Sequence, residues 1–267
     1  MSEKQRYFIE LAYDGSNYHG WQVQPNALTV QEVLDNALTT VLRQPIATTG
    51  CGRTDTGVHA RQFFAHFDVE SIVDSPLSIA GMGNTMDYRL WTIDQKTINS
   101  INAVLPYDIG IKRVIEVHPD AHARFDATLR SYEYNVHFGK DPFKVNRSWE
   151  LRDRPDMDLM NTAAQILLAY TDFSCFSKSN TQTFTNNCKI SRAEWVEIDG
   201  GLVFHISADR FLRNMVRAIV GTLMAIGRKE IAPEGIREII ASKNRSNAGT
   251  SVPACGLYLT EVKYDYV

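Results

Sequence analysis

The sequence predicts an α+β fold with a predominantly antiparallel sheet. Short segments rich in β-branched and aromatic residues outnumber the segments with helical periodicity, and most connections between them are short. Residues 1–115 and 116–267 also share one order of elements, which is a strand, a long helix and further strands. We therefore expect two similar α+β halves, although no residue-level repeat is visible.

The first half begins with a strand and a strongly periodic helix. The segment YFIELAY (7–13) is short and aromatic, and Asp14-Gly15 closes it as a turn. Thr29 and Glu32 form a capping box ahead of apolar residues at helical spacing: Val30, Val33, Leu34, Ala37, Leu38, Val41 and Leu42. Pro45 ends this helix.

The remainder of the first half predicts strands around one long irregular segment. Strands are expected at 46–50 and 62–69. Residues 69–94 show neither the periodicity of a helix nor that of a strand, which indicates a surface insertion. A short helix at 96–106 and a strand at 109–117 follow it.

The second half repeats this alternation. A strand at 130–138 precedes a helix at 156–170, whose apolar face contains Met160, Ala163, Ala164, Leu167 and Leu168. The segments 193–198 and 202–208 pair naturally as a hairpin. A long helix is expected from Arg210 to near Gly227, with these side chains inward: Phe211, Met215, Val216, Ile219, Val220, Leu223 and Met224. A short helix from Pro233 and a strand at 256–264 complete the prediction.

Composition excludes several classes of protein. With 267 residues and 44% apolar content, the chain can form a substantial core. A charged N-terminal segment and the lack of a long apolar run favour a cytoplasmic protein. The net charge of −3 excludes a globally basic nucleic-acid binder but allows local basic patches.

Neither the cysteines nor the histidines predict a metal site. The cysteines are far apart in the sequence, without a C-x-x-C pair: Cys51, Cys175, Cys188 and Cys255. The histidines His19, His59 and His66 lack a ligand spacing. Thiol chemistry at Cys51 remains an alternative.

The motif GCGRTDTGVHARQF (50–63) places one carboxylate on a predicted loop between two strands. Asp55 is surrounded by threonines that can hydrogen-bond a turn and by glycines that permit unusual backbone angles: Thr54, Thr56, Gly50, Gly52 and Gly57. A turn aspartate is one interpretation. Arg53 favours another, because residues i and i+2 of an extended segment share a face and an adjacent cation favours the ionised carboxylate. Asp55 is then a base or a nucleophile.

Three arginines share one face of the predicted helix from 210. Arg210, Arg213 and Arg217 are spaced i, i+3, i+7, which is also the pattern of a solvated charged face. Arg217 lies near the apolar flank, where a guanidinium needs a carboxylate or phosphate partner. Asp55 is the candidate partner.

Further basic and aromatic residues suggest a nucleic-acid surface. Arg124, Arg130 and residues 227–230 add positive charge to the same half and predict a phosphate track. Tyr132 and Tyr134 share a strand face, where tyrosines commonly pack in a core. A tyrosine facing a basic cleft instead offers a platform for a nucleobase.

Four separated motifs, in this order, resemble the tRNA pseudouridine synthase A family across nearly the whole chain. They are YDGSNYHGWQVQ (13–24), GRTDTGVHA (52–60), ARFDATLRSYEY (123–134) and FLRNMVRAIVG (211–221), and a GLYL strand (256–259) follows them. The family fold this implies is two similar α+β halves whose sheets join across a central cleft, with the helices packed on one side.

The resemblance also implies roles for individual residues. Asp55 would be the catalytic aspartate, Arg217 its salt-bridge partner, and Tyr132 the tyrosine that stacks on the target uracil. The remaining arginines would bind the substrate: Arg53, Arg124, Arg210 and Arg213. The implied enzyme is a homodimer without cofactor or metal that acts on tRNA, at uridines of the anticodon stem-loop (nucleotides 38–40).

The sequence departs from the family pattern at two places. Thr56 stands where bacterial members commonly have alanine, and the 69–94 segment is longer than usual. Neither touches the proposed chemistry, but the insertion leaves the detailed tRNA contacts unpredicted.

Two alternatives belong to other classes. Asp55-Thr56-Gly57 spells the active-site tripeptide of aspartic proteases, but Arg53 and Arg217 would discourage the proton that their two aspartates share. A non-catalytic RNA-binding module would use the same aromatic residues and arginines.

Overall fold

The computed structural model describes residues 4–70, 93–177 and 185–267, and nine strands within them form one mixed, mostly antiparallel sheet. The strands are β1 (Lys4–Tyr13), β2 (Thr49–Gly50), β3 (His59–Glu70), β4 (Ile109–Val117), β5 (Leu129–Phe138), β6 (Trp149–Leu151), β7 (Ile190–Ile198), β8 (Gly201–Ala208) and β9 (Leu257–Lys263). Their order is β4-β1-β3-β9-β5-β8-β7, with β2 beside β3 and β6 beside β5. The predicted α+β class with a mainly antiparallel sheet is confirmed.

Five α-helices are described beside this sheet. They are α1 (Val30–Leu42), α2 (Gln95–Val104), α3 (Met157–Leu167), α4 (Met215–Gly227) and α5 (Gly235–Ser242). The Thr29 hydroxyl accepts a hydrogen bond from the amide of Glu32 at 3.3 Å, so α1 begins at its predicted cap. The predicted hairpin is present as β7 and β8.

Two hydrophobic cores lie on the same face of the sheet. Residues directly paired between neighbouring strands point to one face, and the pairs Tyr13–Ala60, Ala60–Leu259, Leu259–Tyr132 and Tyr132–Ile206 run across β1, β3, β9, β5 and β8. Tyr13 belongs to the first core and Ile206 to the second. Tyr132 packs against both cores, so it marks the line where they meet.

Strand β9 joins the two parts of the sheet. It runs parallel to β3 and antiparallel to β5, and its residues Leu259 and Val262 pack in the first core. Its ladder with β3 is short, and the Gln62 side chain extends it by accepting a hydrogen bond from the Val262 amide at 2.8 Å. The division of the chain at residues 115 and 116 remains a prediction.

The structure corrects two predicted helix boundaries. The helix expected from Arg210 begins at Met215, because Asn214 adopts a left-handed conformation (φ 66°) that interrupts helical hydrogen bonding. Helix α3 ends at Leu167, and Leu168, expected on its apolar face, is 40% exposed.

Most of the predicted insertion at 69–94 lies outside the described residues. Among the helices that are described, none has the length and apolar character needed to cross a membrane.

Candidate active site

Asp55 lies on the loop between β2 and β3, as predicted, and an earlier loop of the chain holds it there. The Gly57 amide donates to the carbonyl of Tyr18 at 3.3 Å. The hydroxyls of Tyr13 and Thr54 lie 3.0 Å apart and form a hydrogen bond. The loop is therefore fixed on both sides of Asp55 by residues near the end of β1.

Gly57 is the glycine of this loop with an unusual backbone angle. Its φ of +79° lies in the region that favours glycine. Gly50 and Gly52, also expected to use this freedom, have no positive φ. Gly50 instead lies where a β-carbon would be 2.5 Å from the indole nitrogen of Trp21, so close packing excludes a side chain there.

Two guanidinium groups pair with the Asp55 carboxylate. Nη1 of Arg217 donates to Oδ2 at 3.1 Å, and Nε of Arg213 lies 3.8 Å from Oδ1. The side chains of Asp55 and Arg217 are 27% and 20% exposed, whereas that of Arg213 is 56% exposed. Arg217 is therefore the better shielded partner of the carboxylate.

The expected contact between Arg53 and Asp55 is not among the ion pairs of the described residues. The Arg53 side chain is exposed and lies near Arg124 instead. The prediction is wrong because the Asp55 carboxylate pairs with Arg213 and Arg217 instead, and the turn of this loop begins only at Asp55, where the amide of Val58 donates to the Asp55 carbonyl at 3.1 Å.

A second segment fixes Arg217. Its Nε donates to the carbonyl of Val252 at 2.8 Å, while Nη1 reaches Asp55. The segment containing Val252 packs tightly on α4, because a β-carbon at Gly221 would be 1.8 Å from the carbonyl oxygen of Thr250. This close approach requires glycine and brings the Val252 carbonyl within reach of the guanidinium.

Arg210 and Arg213 reach the site from a loop rather than from a helix. Both precede Asn214, the residue with a left-handed backbone conformation that comes directly before α4. The predicted i, i+3, i+7 helical face is therefore wrong, since only Arg217 lies on the helix. Arg213 still meets the carboxylate of Asp55, because the loop turns it toward the same point.

Four arginines form a cluster of like charge beside this loop. The pKa of Arg124 is lowered by partial desolvation and by repulsion from Arg53, Arg130 and Arg210. The guanidinium of Arg124 lies 5.9 Å from the ring of Phe125, which is 75% exposed. A polyanion would relieve this repulsion, so the cluster is a suitable surface for phosphate groups.

Tyr132 lies between the two cores and near Asp55. Its ring meets Phe211 edge to face, with centroids 5.1 Å apart. Burial raises the pKa of Tyr132, and the negative charge of Asp55 acts in the same direction. Tyr134, on the same strand face, is fully buried and donates to the carbonyl of Pro253 at 2.8 Å. Tyr134 is thus a core residue, whereas Tyr132 remains half-buried at the site.

Thiol chemistry at Cys51 has no support in the structure. Burial raises the pKa of the Cys51 thiol to about 11, so it is protonated at neutral pH. All four cysteines are free. No group of three metal-ligating side chains is found within residues 4–70, 93–177 and 185–267.

A polar cleft has a volume of about 510 Å³. Most of the strand residues that line it alternate with the residues that face the two cores, so the cleft lies mainly on the other face of the sheet. Its lining includes Ser131 and Glu133 of β5 and His205 of β8. Arg61 and Glu133 pair there at 2.7 Å, and His205 lies 3.6 Å from the same carboxylate. Charges of both signs are paired in this cleft, whereas the arginine cluster near Asp55 has a positive excess.

Two residues of the site were not predicted in their observed roles. The role of the Val252 carbonyl has no signature in the sequence, because every residue has a backbone carbonyl. The sequence predicts Arg130 only as added positive charge, yet its guanidinium is buried and donates to four backbone carbonyls.

Comparison with known proteins gives one consistent result. The sequence profile of a family described as tRNA pseudouridine synthase matches residues 163–265. Proteins named tRNA pseudouridine synthase A from Bacteroides thetaiotaomicron and Parabacteroides distasonis are 48% and 45% identical to this chain. Each alignment covers 97% of this chain, with 91% and 96% of the relative. A protein of the same name from Bacteroides fragilis is 47% identical, over 97% of this chain and 96% of its own length.

Proposed function

The chain belongs to the tRNA pseudouridine synthase A family, a family of isomerases, and we propose that it converts uridines of the tRNA anticodon stem-loop to pseudouridines with Asp55 as the catalytic residue. Nucleotides 38–40 are the proposed targets. The observation that carries the proposal is the Asp55 carboxylate, paired with Arg217 at 3.1 Å and near the half-buried ring of Tyr132.

The reaction breaks the bond between uracil N1 and ribose C1′ and forms a bond between C5 and C1′. The proton at C5 leaves to water and N1 gains a proton, so the product is an isomer. The carboxylate of Asp55 can attack C6 of the base, attack C1′ of the sugar, or remove a proton from the sugar. Attack of either kind divides one difficult step into easier ones.

The surroundings of Asp55 fit a base that leaves the RNA stem. Extrusion costs a few kcal/mol and needs a pocket with a stacking surface. Tyr132 would supply that surface, because it is only partly buried and the charge of Asp55 acts on its hydroxyl. Arg53, Arg124 and Arg210 would contact phosphates and position the RNA by its shape.

The same geometry argues against an aspartic protease. Such enzymes hold two carboxylates that share one proton. The ion-pair partners of Asp55 in the described residues are the guanidinium groups of Arg213 and Arg217 rather than a second carboxylate.

The substitution Asp55→Asn tests the catalytic role. Tritium release from tRNA labelled at uracil C5 would measure turnover, and filter binding would measure tRNA affinity. We expect Asp55→Asn to fold and bind tRNA but to lose at least about 10³-fold in turnover, because the amide keeps the shape without the nucleophile. Asp153→Asn, at an exposed aspartate, is the matched control and should keep full turnover.

Two outcomes would contradict the proposal. Unfolding of Asp55→Asn would make the aspartate a structural residue. Binding of tRNA by the unsubstituted protein without any tritium release would make the chain an RNA-binding module.

The proposed target nucleotides and assembly have separate tests. Pseudouridine mapping in tRNA from cells that lack this protein should show loss at the anticodon stem-loop, and loss elsewhere would contradict that site. We also propose a homodimer, which rests on the family resemblance. Light scattering of the purified protein should give twice the chain mass of 30.2 kDa, and a monomer mass would contradict it.

A further inference from the structure

The side chain of Arg130 is buried, and both terminal nitrogens of its guanidinium group donate hydrogen bonds to backbone carbonyls. It lies at the start of β5 and is 9% exposed. Nη1 donates to the carbonyls of Asp209 at 3.0 Å and Ala127 at 3.3 Å. Nη2 donates to those of Cys51 at 2.9 Å and Arg124 at 2.7 Å. The four N–H groups of these two nitrogens therefore each have an acceptor.

The carbonyls belong to three segments that are distant in sequence and that carry the candidate site. Cys51 stands four residues before Asp55 on the first loop. Arg124 is itself part of the arginine cluster, in the segment before β5. Asp209 directly precedes Arg210 and stands four residues before Arg213. One side chain thus connects the backbone of all three segments.

Arg130 also lies beside the remaining element of the site. Residues i and i+2 of a strand share a face, so Arg130 and Tyr132 project from β5 in the same direction. Their partners on β8, Ala208 and Ile206, keep regular register there. The strand that presents the stacking tyrosine therefore also presents the side chain that holds the three loops.

The energetics of Arg130 favour a role in function over one in stability. A buried charge is costly unless it is paired, and the contacts of Arg130 in the described residues are carbonyls rather than a carboxylate. Its charge also adds to the repulsion at Arg124. A neutral side chain would avoid both costs, but it would not connect three segments with four donors in a planar array.

We propose that Arg130 is a positioning residue that fixes the loops of Asp55, Arg124 and Arg213 relative to one another and to Tyr132. This inference rests on the proposed function, because its effect on turnover needs a reaction at Asp55. Its structural part, the joining of three segments by one guanidinium, does not depend on that reaction.

The test uses Arg130→Lys and Arg130→Met in the full chain. Lysine keeps the charge, but its single nitrogen has three donors and cannot serve four carbonyls on three segments. Methionine removes both charge and donors. We expect both variants to lose about 10- to 100-fold in kcat, since small displacements of reacting groups cost factors of this size. For Arg130→Lys, we expect tRNA affinity to change less than about threefold, because phosphate contacts depend mainly on charge.

Hydrogen exchange supplies a readout that does not depend on turnover. In Arg130→Lys, amides of residues 51–57, 121–127 and 209–214 should exchange faster, whereas those of α1 and α3 should not change. Leu34→Ala is the matched control, because Leu34 is fully buried in the first core and takes no part in the three segments. It should lower the melting temperature at least as much as Arg130→Lys, yet keep kcat at 25 °C.

Distinct results overturn the two proposals. Unchanged kcat and exchange in Arg130→Lys would overturn the positioning role, and so would an activity loss confined to temperatures near its melting point. Lack of turnover in the unsubstituted protein would overturn the proposed function. The exchange pattern would still decide whether Arg130 joins the loops.

Discussion

Replacing Arg217 with methionine removes the better shielded partner of Asp55. Methionine keeps a long side chain against the apolar face of α4 but deletes two hydrogen bonds. One is the bond from Nη1 to Asp55 at 3.1 Å, and the other is the bond from Nε to the Val252 carbonyl at 2.8 Å. Arg213 remains at 3.8 Å from the carboxylate, but it is more exposed and holds Asp55 less firmly.

The expected loss follows from these contacts. A hydrogen bond between charged groups contributes about 1.5–3 kcal/mol, and partial exposure of both groups places this pair in the lower part of that range. The bond to the carbonyl adds about 1 kcal/mol. If Asp55 must be held in this position to react, the total of about 2–3 kcal/mol is the cost of restoring that position, which corresponds to about 30- to 150-fold in kcat/KM at 1.4 kcal/mol for each factor of ten.

Single-turnover tritium release from labelled tRNA would measure this loss. Arg237→Met is the matched control. Arg237 is exposed on α5, and its replacement removes the same positive charge from the protein surface. It should keep turnover within about twofold of the unsubstituted protein. If Arg217→Met retained turnover at that level, the ion pair would have no part in the reaction and the assignment of Arg217 would fail.

Two further predictions concern stacking and acid stability. Tyr132→Phe should keep most of its turnover while Tyr132→Ala loses about 1–3 kcal/mol of stacking, as measured by kcat/KM, and equal losses would implicate the hydroxyl in the chemistry. Burial lowers the pKa of His66 to about 4, below the ordinary value of 6.5, so the unfolded chain takes up the proton first and stability falls as the pH drops from about 6.5 to about 4. Urea unfolding at pH 7 and pH 4 should show a loss from this group of at most about 3 kcal/mol that His66→Gln lacks. Parallel losses in both proteins would contradict that origin.

The sequence predicted the pairing of Asp55 with Arg217 better than it predicted the backbone of the site. An arginine on the apolar flank of a helix needs a buried partner, and this requirement connected Arg217 to Asp55 across most of the chain. The strands and helices around both residues followed from periodicity and caps. These features depend on local residue types, which a single sequence shows directly.

The errors arise where tertiary contacts decide the local conformation. Asn214 is compatible with a helix, so nothing local predicted its left-handed angle or the loop that carries Arg210 and Arg213. The position of Arg53 could not be inferred from its spacing to Asp55, because the arginines that pair with Asp55 come from a distant part of the chain. Arg130 binds backbone carbonyls, which every residue has, so its partners could not be found from residue types.

The position of β9 between β3 and β5 has a consequence for folding. Pairing Leu259 with Ala60 closes a loop over most of the chain, which costs more conformational entropy than the contacts within each core. An intermediate in which β1, β3 and β4 are paired and β5, β7 and β8 are paired, but β9 has not yet docked on β3, would carry Asp55 on one body and Arg217 on another. Because the docking of β9 on β3 brings those bodies together, it would also be the step at which the enzyme gains its activity.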